Sequence, residues 1–176
     1  RDFRQAFRAK LGRNFIVPAN SFDNVKGQFP IGFFIWHTEE KVTFEHTTSD
    51  VYAKNGDCLG EKGVYSYDNT NGNIGKWVNS FRNDANKDKI GFMSNGRNDF
   101  QNQKLVYLIN KKEQMPTPRG WWVTPFNFII ISIFLAVRHS IEATWLNDRD
   151  QFLYPNDEWK SDRDFQNNCL VFTLFS

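Results

Sequence analysis

The hydrophobic positions of this chain follow two periods, and together they predict its elements. Phe3, Phe7 and Leu11 recur at helical spacing, with Arg4, Arg8 and Lys10 on other faces. This predicts a helix over 1–12, ended by Gly12. NFIVPA (14–19) reads as a short strand closed by Pro18, and SFDNVKGQ (21–28) as a loop. FPIGFFIWHT (29–38) is apolar and aromatic with almost no polar alternation. Such a run predicts a strand covered on both faces, as at the centre of an α/β sheet. VTFEHTT (42–48) alternates like a half-exposed strand, and Asn55-Gly56 fits a hairpin turn.

Beyond residue 74, GKWVNSFR (75–82) fits a short helix or strand, and IGFMSN (90–95) and KLVYLIN (104–110) fit strands. KKEQMPTPRG (111–120) reads as a linker before the extended WWVT (121–124). Thr124 as cap and Pro125 at the first position predict a helix running to about Trp145. DFQNNCLVFTLF (164–175) has the spacing of a final helix. The fold expected is α/β or α+β: a mixed sheet with packing helices.

Composition narrows the class. The chain has 176 residues, 40% hydrophobic and 24% charged, which is globular in character. Its 18 Phe residues mean much aromatic surface to bury, in the core or against a partner. Net charge is +2, but unevenly spread: +4 over 1–15, −4 over 38–75, +5 over 76–119 and −3 over 145–165. The +5 segment can follow a phosphate backbone, or form a solvated face. Cys58 and Cys169 form no CxxC pair, which excludes a zinc ribbon or disulfide framework and fits a reduced cytoplasm. FNFIIISIFLAV (126–137) is too short to cross a bilayer and fits a buried helix, so no membrane partner is expected. The charged start RDFRQAFRAKLG has no signal-peptide core. It also lacks an initiator Met, as a piece of a longer chain would.

Catalytic motifs are sparse. There is no GxGxxG, no P-loop and no adjacent proline pair. His37, His46 and His139 are scattered, and with Cys58 they read as ordinary core or surface residues. Glu158-Trp159-Lys160 forms an ExK with Asp148 and Asp150 upstream. Metal-dependent nucleases hold Mg²⁺ between carboxylates beside a lysine, but on a strand, whereas this ExK lies in a Pro/Asn turn. Around Arg149, the same aspartates also suit a salt-bridged turn. In GRNDFQNQ (96–103), Asn and Gln can read adenine edges and Arg97 guanine or phosphate. Trp121 and Trp122 can stack on an exposed base or pack in a core. The candidate DNA contacts are Arg82, Lys87, Lys89, Arg97, Asn98, Gln101 and Lys104.

Four segments carry a resemblance. SFDNVKGQFPIGFFIW (21–36) and IGFMSNGRNDFQ (90–101) resemble segments that follow the catalytic motif in a group of adenine-N6 DNA methyltransferases of restriction–modification systems, some fused to an endonuclease. IEATWLNDRDQFLYPND (141–157) and FQNNCLVFTLF (165–175) are similar to the far end of those proteins, and all four occur in the family's order. The resemblance implies a parent enzyme that uses S-adenosylmethionine on a Rossmann-like sheet and holds a flipped adenine with Asn-Pro-Pro-Tyr. Neither motif lies in this chain, so it carries over no catalytic or cofactor residue, and no cofactor is expected to bind here. What it implies is the end of a catalytic sheet over 1–38, a target-recognition region over 39–124 and a helical region over 125–176. The implied partners are double-stranded DNA and an upstream methyltransferase domain of the same protein. The alternatives are a Mg²⁺-dependent nuclease or its remnant, built on Asp148, Asp150, Glu158 and Lys160, and a purely structural packing module.

Overall fold

A computed structural model of the chain describes residues 7–42, 46–65, 72–82, 88–94, 106–110, 120–147, 150, 152 and 155–175. The fold is mixed α/β, with two sheets and three α-helices among these residues. The chain divides into two compact units, one of residues 1–68 with 145–147, the other of 69–144 with 148–176.

The first unit is a four-stranded sheet of β1 (Lys10–Pro18), β2 (Pro30–His37), β3 (His46–Tyr52) and β4 (Cys58–Tyr65), in the order β2-β1-β3-β4. β1 runs antiparallel to β2 and parallel to β3, and β3 and β4 form an antiparallel hairpin. That hairpin turns at Asn55-Gly56, as its sequence predicts. Gly56 takes φ 90°, open to glycine at no steric cost. Asn55 Nδ2 donates to Asp57 Oδ2 at 2.7 Å, and Gly56 N to Ala53 O at 2.9 Å. Gly60, at φ 110°, takes up the register shift where Val51 faces Gly60 but Tyr52 faces Cys58.

Two expectations fail in this unit. The helix over 1–12 is not formed in its described part: residues 7–9 are irregular and β1 begins at Lys10. Tertiary pairing outweighs the helical spacing there. Phe7 sets its ring edge-on to Trp36 at 5.3 Å, while Lys10 and Leu11 pair with His37 and Trp36. Nor is β2 covered on both faces. It ends the strand order, and Phe33, Phe34 and Ile35 are 39, 51 and 60% exposed.

The two faces of this sheet differ, because side chains alternate along each strand. One face holds Asn14, Ile16, Ser49 and Val51, all buried. Among the described residues only Phe15–Asp50 and Ile16–Val51 pair along the β1–β3 seam, and Asn14 closes the gap beside them. Its Nδ2 donates to Thr47 Oγ1 and to Thr48 O, each at 3.1 Å, and its Oδ1 accepts from Ser49 Oγ. Residues 145–147 return to this unit, where Lys62 Nζ donates to Leu146 O at 2.7 Å.

The second unit joins helix α1 (Ile74–Ser80) to a three-stranded antiparallel sheet and two longer helices. The strands are β5 (Gly91–Ser94), β6 (Tyr107–Ile109) and β7 (Trp121–Val123), ordered β6-β5-β7. The helices are α2 (Phe128–Arg138) and α3 (Arg163–Phe175). Asn73 caps α1, accepting from Lys76 N at 2.9 Å. Ile74, Val78, Met93, Val123, Ile130, Ile131, Phe134 and Leu135 form the core. All four residues of β5 are buried, as the central strand requires.

α2 is shorter than the 125–145 span expected. It starts after Asn127, which replaces the Thr124/Pro125 start, and ends at His139. The Asn127 side chain reaches backwards instead of capping: its Oδ1 accepts from Thr124 N at 2.8 Å, and its Nδ2 donates to Trp122 O at 3.1 Å. The strand-to-helix corner is thereby locked. α3 begins one residue before its predicted start, with Asp162 Oδ1 accepting from Phe165 N at 2.9 Å. Among the described residues no helix is long and apolar enough to cross a membrane.

Candidate nucleic-acid interface

Of the seven candidate contacts, Arg82 and Lys89 lie among the described residues. Lys87, Arg97, Asn98, Gln101 and Lys104 lie outside them, as does most of the amide-rich loop 96–103. Arg82 follows α1, where its Nη2 donates to Gly120 O at 2.7 Å. Gly120 has no room for a Cβ, since Met93 O and the Phe92 ring crowd it. Arg82 thus grips the entry to β7 at a point where the backbones are in close contact. Lys89 precedes β5, and its Nζ sits 4.9 Å from the centre of the Trp122 ring. Ile90 N, next along the chain, donates to Val123 O at 2.9 Å, which anchors that lysine to the sheet edge. Both cations are exposed. Arg82 leans on the backbone of the residue that leads into β7 and Lys89 on an aromatic face of β7, so each is held against the sheet.

The tryptophan pair belongs to the packing. Trp121 sets its ring at 4.8 Å from Phe134 of α2, and its Nε1 donates to Asn79 Oδ1 at 2.9 Å. Trp122 packs edge-on against Phe92 at 5.4 Å on the opposite side of the strand. Both are partly buried. Neither is a free platform for a flipped base, although Trp122 offers its second role by holding the Lys89 cation.

The ExK residues sit on a 3-10 turn, Asp157–Lys160. Lys160 Nζ pairs with Asp157 Oδ1 at 2.9 Å, on the surface and within the turn. Trp159 anchors the turn, its ring 5.7 Å from Trp77, and Gln166 Nε2 of α3 donates to Trp159 O at 2.7 Å. Asp148 lies outside the described residues, and Asp150 and Glu158 belong to no group of three or more His, Cys, Asp or Glu that can hold a metal among those described. The histidines are apart. His46 stacks on Tyr65 at 5.9 Å, His37 crowds Gly12, and His139 places Nδ1 2.6 Å from Leu135 O. Cys58 is exposed on β4, and Cys169 is buried in α3, where burial pushes its thiol up to about 11.

Sequence reasoning missed the polar locks at Asn14 and Asn127, which look like ordinary loop or strand-end asparagines. It also missed that Phe15, Phe33 and Ile35 share an open face. The alternation of Phe15 with Ile16 in β1 was the available signal, hidden in β2 because Phe33, Phe34, Ile35 and Trp36 are apolar on both sides. Comparison with protein-family models, curated proteins and solved structures finds no match to this chain.

Proposed function

We propose that this chain is the DNA-binding, target-recognition portion of an S-adenosylmethionine-dependent adenine-N6 DNA methyltransferase of a restriction–modification system. The observation that carries this reading is the ordered set of four segments, FDNVKGQFPIGF and WLNDRDQFL foremost, that resemble the region beyond the catalytic motif of such enzymes. On this reading β1 and β2 belong to the end of a Rossmann-like sheet, and a cytoplasmic parent supplies cofactor, catalytic motif and upstream domain. Arg82, held by the Gly120 carbonyl at the entry to β7, and Lys89, on the Trp122 ring, act as phosphate contacts. Both are held by rigid partners, which reduces the entropy lost on meeting a phosphate. The chain alone transfers no methyl group.

The test is binding of duplex DNA by the whole chain, measured by filter retention at low and rising salt. Retention at low salt that falls steeply as salt rises is the expected result. Absence of retention at low salt removes the DNA-contact assignment.

A further inference from the structure

The first unit presents a sheet face that is aromatic across β1 and β2 and acidic across β3 and β4, with Arg13 exposed on β1 two residues before Phe15. Phe15 of β1 stacks on Phe33 of β2 at 4.8 Å, with Phe22 at 6.0 Å from Phe33 and Tyr52 of β3 edge-on to Phe15 at 6.1 Å. Phe15, Phe22, Phe33 and Ile35 are 38, 41, 39 and 60% exposed, an aromatic patch of the kind that marks an interaction site. Beside it, Asp50 of β3 stands directly opposite Glu61 of β4 on the same face. Both are exposed, and neither makes an ion pair or hydrogen bond with any other side chain among the described residues. Like charges directly opposed across an antiparallel pair are destabilising. A cation placed over them relieves that repulsion, and an apolar surface laid on the aromatic half completes the fit.

We propose that this face docks a cationic amphipathic segment of another polypeptide, its apolar side chains on Phe15 and Phe33 and its lysines or arginines over Asp50 and Glu61. The carboxylates set the sign of the partner. They repel nucleic acid, whose bases the aromatic patch would otherwise suit. They also oppose a second copy meeting the same face, which brings four carboxylates together with two Arg13 cations and leaves a net negative charge. The inference stands without the DNA-binding reading, because it uses the other unit of the chain.

The experiment titrates the whole chain into a fluorescent Leu/Lys amphipathic peptide and into a Leu/Glu peptide of the same pattern, reading anisotropy. The Lys peptide is expected to bind and the Glu peptide not. Asp50→Asn with Glu61→Gln should weaken binding about three- to tenfold and flatten its salt dependence, as loss of two surface ion pairs would. Phe33→Thr should weaken it at least about tenfold, as loss of an aromatic anchor does. Val64→Thr, on the opposite face of β4, should bind as the parent does. An unchanged melting temperature in each variant separates lost docking from lost fold. Equal binding of both peptides, or of neither, overturns the proposal. So does binding of a single-stranded oligonucleotide by the whole chain that Phe33→Thr abolishes, or a concentration-dependent dimer that Phe33→Thr dissolves.

Discussion

Asn14 bears a burden out of proportion to its size. The β1–β3 seam has two paired positions, and the Asn14 amide bridges the strands beside them through Thr47, Thr48 and Ser49. Asn14→Leu keeps the volume but removes the amide that donates to the Thr48 carbonyl and the acceptor of the buried Ser49 hydroxyl. A loss of about 1–3 kcal/mol is expected, read as a lower denaturant midpoint. Ser49→Ala removes one hydroxyl and should cost less; an equal or greater loss would locate the seam's strength elsewhere. Cys169 gives a second residue-scale expectation. Its folded thiol is raised from 9.0 to about 11 by burial, so the folded state holds the proton more tightly than the unfolded state. That contribution is complete below pH 9.0 and is lost as pH rises through about 11. Cys169→Ala should therefore flatten the alkaline fall in stability between those values. In native protein near neutral pH, a thiol reagent should modify Cys58 first, and Cys169 only after denaturation.

At the scale of elements, α2 is the centre of the second unit. Ile130, Ile131, Ile133, Phe134 and Leu135 are all buried, so the helix is enclosed and not merely amphipathic. Leu135→Ala should cost about 2–5 kcal/mol, since neighbours on several elements close in on it and cannot follow a lost side chain. A loss below about 1 kcal/mol by denaturant titration would contradict that enclosure. Most strands and the two longer helices are legible as apolar runs between turn signals, 75–82 is left open between helix and strand, and Asn55-Gly56 locates its hairpin by chemistry alone. The failures have physical causes. Phe3, Phe7 and Leu11 have helical spacing, but pairing of Lys10 and Leu11 with β2 draws their end of the segment into a strand. The FPIGFFIW run reports hydrophobicity without reporting neighbours, so an edge strand with an open face reads like a central one. The length of α2 was overestimated because Thr124 and Pro125 resemble a helix start, while the fold uses Asn127 to tie the corner before the helix begins. Of the candidate site, charge and residue type nominated Arg82 and Lys89, but nothing in the sequence showed that one rests at the entry to β7 and the other on its Trp122 ring.

At the scale of the whole molecule, the charge is divided along the chain, with +5 over 76–119 against −4 over 38–75. Such a distribution directs an anionic polymer toward the basic segment and away from the acidic one. Two kinds of contact then separate in one experiment. Lys89 is a point charge on the Trp122 ring, with no fork to read a base edge. Lys89→Gln should weaken DNA binding by a similar factor on every duplex and reduce the salt slope by about one. Arg97 has a guanidinium that can engage guanine in two places. Arg97→Ala should cost about 1–3 kcal/mol on duplexes holding the preferred guanine and little on others. Preferred duplexes can be selected from a randomised pool with the unaltered chain before either variant is made. If Lys89→Gln changes preference among duplexes while Arg97→Ala acts uniformly, the two roles are exchanged. If neither variant changes affinity or slope, the basic segment is a solvated surface and DNA is held by other residues or not at all.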